Sequence, residues 1–195
     1  MVTVTLLGVA QDGGLPHAGC CCSNCSQLSS NVACLALTVH HHRTYLIDAT
    51  PDIKHQIAAV HSWGSQLAGI FLTHLHMGHY AGLMQLGKEA MNVQALPVYA
   101  TDTVCNWLRS NQPWSSYITD GNITLRTLTP HQPVHLGTCT VTPLPVPHRR
   151  DYSDTVAFIV QGGTGGHQRR CDWQTTAKQP AVFRNPSSWH VPVWK

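Results

Sequence analysis

Three histidines lie within a six-residue span, in the segment 73–79 with the order Thr-His-Leu-His-Met-Gly-His. The apolar run 67–72 before them is typical of a buried strand. Neutral imidazole is the commonest protein ligand for zinc-like metals, and side chains two positions apart on an extended segment, as at His74 and His76, point to the same side. The spacing therefore predicts that His74, His76 and His79 bind a metal ion. Three solvated loop histidines are the alternative.

The elements on either side must aim these imidazoles at one point. The apolar residues that follow have helical spacing and predict an amphipathic helix directly after His79: Leu83, Leu86, Ala90 and Met91. A strand, a sharp turn and a helix start would then present three nitrogens to one ion.

The rest of the chain predicts alternating strands and helices in one domain, since 195 residues can bury one substantial core. Strands are predicted over 2–9, 33–39, 43–47, 69–73, 95–100, 123–128, 138–144 and 155–160. Helices are predicted over 52–63 and 102–108, the second capped by Thr101. After Gly162 the sequence is glycine-rich and then aperiodic. We therefore expect a domain over 1–162 and an irregular, divergent tail over 163–195.

Four stretches, in order over about residues 1–160, resemble the metallo-β-lactamase superfamily. The motif T-H-x-H-x-x-H after a strand resembles its H-x-H-x-D-H metal motif, with Gly78 in place of the aspartate. The first strand with its glycine-rich turn, the strand ending at Asp48, and Pro147-His148 after a strand are similar to its other motifs. The resemblance implies an α/β (α+β sandwich) domain with the four-layer αββα fold. Its second half looks incomplete, because the tail offers no matching strand, bridging aspartate or final histidine ligand.

Within the superfamily, residues 13–25 and 78–84 look like the PqqB-like branch, which is similar to phosphodiesterases that act on cyclic ribosyl phosphates. In those relatives a C-x-C-x-x-C loop holds a structural zinc, which implies Cys20, Cys22 and Cys25 as ligands here. Closely spaced thiolates on a tight loop suit tetrahedral zinc. The fourth ligand stays open, with His17 and His190 as guesses. Reduced or disulfide-bonded cysteines are the alternative.

The resemblance also implies two adjacent metal positions. His74, His76 and His148 would form the first, with its fourth coordination position open. The second would retain only His79, since Gly78 offers no carboxylate. Asp48 would orient a metal-bound histidine, although a cap on the turn 48–51 is an equally simple explanation. We expect Zn²⁺, one catalytic-type ion and one structural ion, with Mn or Fe as alternatives.

The expected function is a zinc-dependent hydrolase that acts on a phosphodiester or another small ester through a metal-bound hydroxide. A metal-binding but catalytically impaired, truncated form that serves as a scaffold or partner-binding protein is the alternative. Arg149 and Arg150 follow His148 and could meet an anionic phosphate ester, or they could form a solvated loop. Asp12 and His17 could line the mouth of the site.

Composition narrows the function classes. The net charge of +3 and the absence of a basic stripe give no indication of nucleic-acid binding. No run approaches the roughly 18 apolar residues of a membrane span. The chain enters a strand at once, without a basic-then-apolar leader, and its eight cysteines suit metal ligands and reduced thiols. We therefore expect a cytoplasmic protein with a small-molecule substrate.

Overall fold

The computed structural model describes residues 2–40, 42–149, 151–164, 167–171 and 190–191. Two β-sheets dominate it. The first has six strands in chain order: β1 (Val2–Gly8), β2 (Cys34–Val39), β3 (Arg43–Ile47), β4 (Gln66–Phe71), β5 (Leu96–Ala100) and β6 (Ile123–Thr127). Strands β1 to β3 are antiparallel, whereas β3 to β6 are parallel. The carboxyl ends of β3, β4 and β5 therefore open on the same edge of the sheet.

The second sheet is antiparallel, with the strand order β10-β9-β8-β7 and β11 paired to β9. Its strands are β7 (Val134–Leu136), β8 (Cys139–Pro145), β9 (Val156–Thr164), β10 (His167–Cys171) and β11 (His190–Val191). Both β7 and β8 pack their buried residues towards the first sheet. Phe71 lies at the centre of this inter-sheet core, fully buried, stacked on Tyr99 at 4.4 Å and edge-on to Phe158 at 5.5 Å between ring centroids.

Helices cover the other face of the first sheet. They are α2 (Ile53–Ser62), α3 (Met77–Tyr80) with the 3₁₀ segment Ala81–Leu86, α4 (Asp102–Ser110) and α5 (Trp114–Thr119). The apolar residues of α2, α4, α5 and the 3₁₀ segment form a second core with this sheet. A short helix, α1 (Ser23–Gln27), belongs to the cysteine loop and buries no residue. The order helix, sheet, sheet agrees with the α/β layered fold that the resemblance implied.

Most predicted elements are confirmed. The strands and both helices predicted up to residue 160 are present within a few residues, and Thr101 caps α4 by accepting a hydrogen bond from the Val104 N–H. The sequence pattern does not predict β7, α1 or α5. Each of these has three to six residues, too few for a periodic pattern to stand out.

The prediction of a long amphipathic helix after His79 is wrong. The chain makes only α3 and the 3₁₀ segment, and Ala90 and Met91 lie exposed in turns beyond it. Gly82 presses against the backbone of the turn after β3, where a Cβ would meet the Thr50 carbonyl oxygen. The 3₁₀ segment therefore packs closely against the backbone of that turn at Gly82. Its apolar side chains are buried over two turns only.

The predicted division at residue 162 lies within β9, which continues to Thr164 and pairs with β10. Residues 165–166, 172–189 and 192–195, most of the predicted tail, lie outside the described residues. The division therefore stays a prediction. Among the described residues, no helix has the length and apolar character needed to cross a membrane.

Truncation of Phe71 tests the inter-sheet core. We expect Phe71→Ala to lower the free energy of unfolding by about 3–5 kcal/mol, because it leaves a cavity between two aromatic neighbours. Met84→Ala, at a half-exposed position, should change stability by no more than about 0.5 kcal/mol. Urea denaturation measures both variants. Equal effects would contradict a packed interface at Phe71.

Candidate metal centre

Three imidazoles converge at the edge of the first sheet where β4 ends. His74 and His76 lie in the loop after β4, and His148 lies in the loop after β8 of the second sheet. The Nδ1 atom of His76 is 3.0 Å from Nε2 of His74 and 3.1 Å from Nε2 of His148. Nitrogen ligands of a tetrahedral zinc ion lie roughly 3.3 Å from one another, since each bond is about 2.0–2.1 Å. This is the triad that the resemblance implied, now assembled from both sheets.

His74 and His76 reach this position from a loop rather than from an extended strand. Strand β4 ends at Phe71, and the His76 backbone is extended only as it enters α3. The side chains still meet, because Asp48 and its neighbours hold the loop.

Asp48 follows β3 and is almost fully buried, with a left-handed backbone conformation at φ 71°. Its backbone N–H donates to the Phe71 carbonyl at 2.8 Å. Its carboxylate accepts hydrogen bonds from the Thr73 N–H at 2.8 Å, the Thr73 hydroxyl at 2.9 Å and His79 Nδ1 at 2.7 Å. The side chain thus fixes the loop and one imidazole, which is more than a turn cap requires.

These partners also favour one tautomer of His74. An ionised carboxylate only accepts, so the single Thr73 hydroxyl proton points to Asp48 and the Thr73 oxygen must accept from Nδ1–H of His74, 2.8 Å away. Nε2 of His74 then presents a lone pair. Nε2 of His76 faces both the Asp151 carboxylate at 3.4 Å and a guanidinium nitrogen of Arg149 at 3.5 Å, so these contacts suit either tautomer of His76. In either tautomer, Nδ1 of His76 lies at the spacing of two ligands of one ion from Nε2 of His74 and from Nε2 of His148.

Burial favours the neutral form of His74 and His148. Burial, followed by the neighbouring imidazoles of His79 and His76, lowers the pKa of His74 to about 2. Partial burial and the same kind of neighbours lower the pKa of His148. Metal ligation requires deprotonated imidazole nitrogen. Both residues therefore present a ligand atom at neutral pH.

His79 lies beside the triad, not in it. Its ring centroid is 4.2 Å from that of His74, and its Nε2 is 3.3 Å from Oδ1 of Asp12. Burial disfavours its charged form, but the carboxylates of Asp48 and Asp12 outweigh burial and raise the pKa of His79 to about 10. The contact with Asp12 is not evident from sequence, where the two residues are far apart.

The triad opens on a cleft of about 700 Å³. Its walls come from the glycine-rich loop after β1, the histidine loop and the loop after β8: Gln11, Asp12, Gly13, His17, His76, His79, Pro147, His148 and Arg149. Arg149 donates through Nε to Asp151 at 2.6 Å and is otherwise largely exposed. Arg150 lies outside the described residues. The predicted mouth residues Asp12 and His17 thus line the cleft.

The thiols of Cys20, Cys22 and Cys25 form a separate cluster, with their sulfur atoms within 4.8 Å of one another. The sulfurs of Cys20 and Cys22 are 3.3 Å apart, well beyond a disulfide bond of about 2.05 Å. Hydrogen bonds from the Cys25 backbone N–H and from the Cys20 thiol lower the pKa of Cys22 to about 7. The cluster therefore suits a cation better than the disulfide alternative.

The fourth ligand of the cysteine cluster stays open, because the His17 imidazole lies elsewhere and the His190 side chain is outside the described residues. The His17 backbone N–H donates to the Cys25 sulfur at 3.4 Å, but its imidazole packs over Gly13 and lines the cleft. The side chain of His190 lies outside the described residues. Cys21 is exposed and outside the cluster, as expected of a bystander.

The pKa of His74 is lowered and that of His79 is raised, so the charge states of the two imidazoles test the electrostatic description of the site. In metal-free protein we expect His79 to remain an imidazolium at pH 8 and His74 to remain neutral at pH 5. The stabilisation from charged His79 is complete below about pH 6.5, its unfolded pKa, and is lost as pH rises through about 10. Imidazole ¹H–¹⁵N NMR measures both charge states.

Asp48→Asn is the matched variant, because it removes one carboxylate from His79 at nearly constant volume. It should lower the pKa of His79 and leave His74 neutral. A neutral His79 at pH 8 in the parent protein would contradict the electrostatic description of this pair.

Comparison with known proteins shows the family to which this domain belongs. Residues 43–170 match the family described as the beta-lactamase superfamily domain. Coenzyme PQQ synthesis protein B of Rhodopseudomonas palustris strain TIE-1 is 32% identical over 125 residues, 57% of this chain and 39% of that protein. The same protein from strain CGA009 is 28% identical over 148 residues, 69% of this chain and 44% of that protein. The chain thus spans less than half the length of these relatives.

Solved structures share the fold at lower identity. Zn²⁺-bound PqqB from Methylobacterium extorquens superposes with a TM-score of 0.71 at 22% identity, over 87% of this chain and 64% of that chain. A diphosphatase of the PhnP family gives 0.64 at 22% identity, over 81% and 62%. The metallo-β-lactamase fold protein YhfI from Bacillus subtilis gives 0.58 at 19% identity, over 87% and 61%. With a family match over more than half of its length, the chain belongs to the β-lactamase superfamily domain family, has the metallo-β-lactamase fold and is similar to PqqB proteins.

Proposed function

We propose that this chain is a metal-dependent hydrolase that cleaves a phosphodiester or another small ester in the cleft above the triad. The observation that carries this proposal is the convergence of three imidazole nitrogens, with Nδ1 of His76 at 3.0 Å from His74 Nε2 and 3.1 Å from His148 Nε2. The fold is shared with a Zn²⁺-bound PqqB and a PhnP-family diphosphatase, which supports a metal and a phosphate ester as the chemistry to test first.

His74, His76 and His148 would hold the ion, and the side of the triad that faces the cleft leaves a coordination position for solvent or substrate. A divalent ion bound there would supply a water nucleophile at neutral pH and a Lewis acid for the attacked phosphoryl or carbonyl group. Zn²⁺ is the proposed ion, with Mn²⁺ or Fe²⁺ as alternatives for a nitrogen-rich site.

The chain's own groups would orient these ligands and the substrate. Asp48 holds His74 through the Thr73 hydroxyl, and Asp151 holds His76 through its outer nitrogen. Such outer partners keep a ring in one orientation and one tautomer. Arg149, at the rim of the cleft, is placed to contact an anionic ester oxygen.

The cysteine cluster is proposed as a second, structural zinc site. Cys20 and Cys22 lie just before α1 and Cys25 lies within it, and none of the three lines the triad's cleft. A closed site of this kind stabilises a loop instead of activating water. Reduced thiols would suit the cytoplasm, which is the proposed location.

Removal of one triad ligand tests the hydrolase. We expect His76→Ala to reduce hydrolysis of bis(4-nitrophenyl) phosphate by at least about 100-fold. Loss of a residue that only orients a metal ligand costs up to about 100-fold, and here the ligand itself is lost. Elemental mass spectrometry should show one metal fewer per chain. His135→Ala, at an exposed histidine of the second sheet, is the control and should retain both values.

Equal activity in His76→Ala and the parent protein would overturn the assignment of hydrolysis to the triad. A parent protein that holds the metal but hydrolyses no ester would favour the alternative, a metal-binding scaffold or partner-binding protein.

Single cysteine substitutions test the structural site. Cys22→Ser should remove one zinc ion per chain and lower the melting temperature, because the loop loses a ligand. Cys21→Ser changes the adjacent exposed thiol outside the cluster and should leave the zinc content unchanged. Elemental mass spectrometry and thermal unfolding of both variants distinguish them. Identical zinc content in both variants would contradict the cysteine site.

A further inference from the structure

One histidine of the glycine-rich loop lines the cleft without belonging to the triad or to the charged pair beside it. Within the described part of the chain, four imidazoles line the cleft: His17, His76, His79 and His148. His76 and His148 belong to the triad, and a carboxylate faces each nitrogen of His79. His17 is therefore the cleft imidazole to which the proposed hydrolysis gives no role.

The glycine-rich loop lies directly against the histidine motif. A Cβ at Gly78 would lie 2.6 Å from Cα of Asp12, so the backbones of the two loops are in close contact. Oδ1 of Asp12 is 3.3 Å from Nε2 of His79. Gly13 follows at a Cα spacing of about 3.8 Å. The His17 ring lies against Gly13, because a Cβ there would collide with Cδ2 and Nε2 of the ring. The ring is thus one residue's length from the carboxylate that faces His79.

The cysteine cluster fixes the backbone of His17. The His17 N–H donates to the Cys25 sulfur at 3.4 Å, and its carbonyl accepts from the Cys20 N–H at 3.0 Å. The side chain is held as well, since Nδ1 lies 3.0 Å from the Ala18 carbonyl oxygen. A group that is already fixed loses little conformational entropy when a ligand binds to it. His17 is therefore preorganised at the wall of the cleft.

The contact with Ala18 determines what the His17 ring offers to a substrate. A carbonyl oxygen only accepts hydrogen bonds, so Nδ1 carries a hydrogen, and Nε2 of the neutral ring presents a lone pair. Within the ranges that the structure describes, no residue forms a hydrogen bond with Nε2, and the side chain is exposed. This nitrogen is therefore an acceptor that a hydroxyl group of a ligand can reach.

We propose that His17 is a specificity-determining residue whose Nε2 accepts a hydrogen bond from a hydroxyl group of the substrate. The site then prefers esters whose alcohol portion carries a further hydroxyl group. The inference deepens the proposed function and rests on it for the hydrolysis itself. Arg149, on the loop after β8, offers the complementary donor for an anionic ester oxygen. The loop after β8 thus binds the charged group, and the glycine-rich loop binds a neutral donor beside it.

Two diesters of equal size test the proposal. The substrate 4-nitrophenyl 3-hydroxypropyl phosphate carries a terminal hydroxyl where 4-nitrophenyl butyl phosphate carries a methyl group, and both release the same phenolate. A second pair with a longer alkyl chain allows for a longer reach across the cleft. The quantity compared is the KM of the alkyl diester divided by the KM of its hydroxylated partner, which we call the hydroxyl preference.

Two substitutions separate hydrogen bonding from packing. His17→Phe keeps a ring against Gly13 but has no nitrogen, and it should lower the hydroxyl preference by about 3- to 10-fold, the effect of one neutral hydrogen bond. His17→Gln keeps a polar acceptor near the position of Nε2 and should retain part of the preference. His135→Phe changes an exposed histidine of β7 in the same way and should keep the parent value. Circular dichroism confirms that each variant is folded.

The outcomes separate this role from the proposed function. A preference that is lost in His17→Phe and partly restored in His17→Gln supports the assignment. Equal slowing of both diesters by His17→Phe overturns it, because a residue that only packs the loop does not distinguish a hydroxyl from a methyl group. The same preference in the parent protein and His17→Phe also overturns it, and in both cases hydrolysis at the triad stands. Hydrolysis of neither diester by the parent protein overturns the proposed function, and the role of His17 with it.

Discussion

One buried carboxylate holds the site together. Asp48 accepts hydrogen bonds from the Thr73 N–H, from the Thr73 hydroxyl, which lies near both carboxylate oxygens, and from His79. Each of these residues touches a candidate ligand or is one. A buried charge is costly unless its hydrogen bonds are complete, so the chain around Asp48 has little freedom to rearrange. The left-handed backbone at φ 71° adds a second constraint, because few residues other than glycine, asparagine and aspartate adopt it readily. Position 48 thus needs both a short side chain and a negative charge, which aspartate alone combines.

The position of the site follows from the two sheets. Parallel strands β3 and β4 deliver Asp48 and the histidine loop to one edge of the first sheet, whereas His148 arrives from β8 in the second. The triad therefore forms only where the sheets are packed together, and Phe71, next to the loop residues, fills that interface. Packing between the sheets sets the distance between imidazoles that lie 72 residues apart in the chain.

Local patterns were enough to predict the strands, the triad His74, His76 and His148, and the cysteine cluster, because each depends on spacing within a short segment or on a family motif. The helix after His79 was mispredicted because its apolar spacing continues to Met91, whereas the helical segment ends at Leu86 and Ala90 and Met91 are exposed in turns. The pairs Asp12–His79 and His76–Asp151 were missed for a related reason. Each joins loops that are far apart in sequence, and only the folded backbone specifies that such loops meet.

The overlap between position 78 and Asp12 also restricts how this sequence can change over time. A side chain at 78 would collide with the Cα of Asp12 and not only with its carboxylate, so substitution of Asp12 by a smaller residue does not by itself make room. The two positions are therefore epistatic. Any side chain at position 78 would therefore require the glycine-rich loop that carries Asp12 to lie further from the histidines.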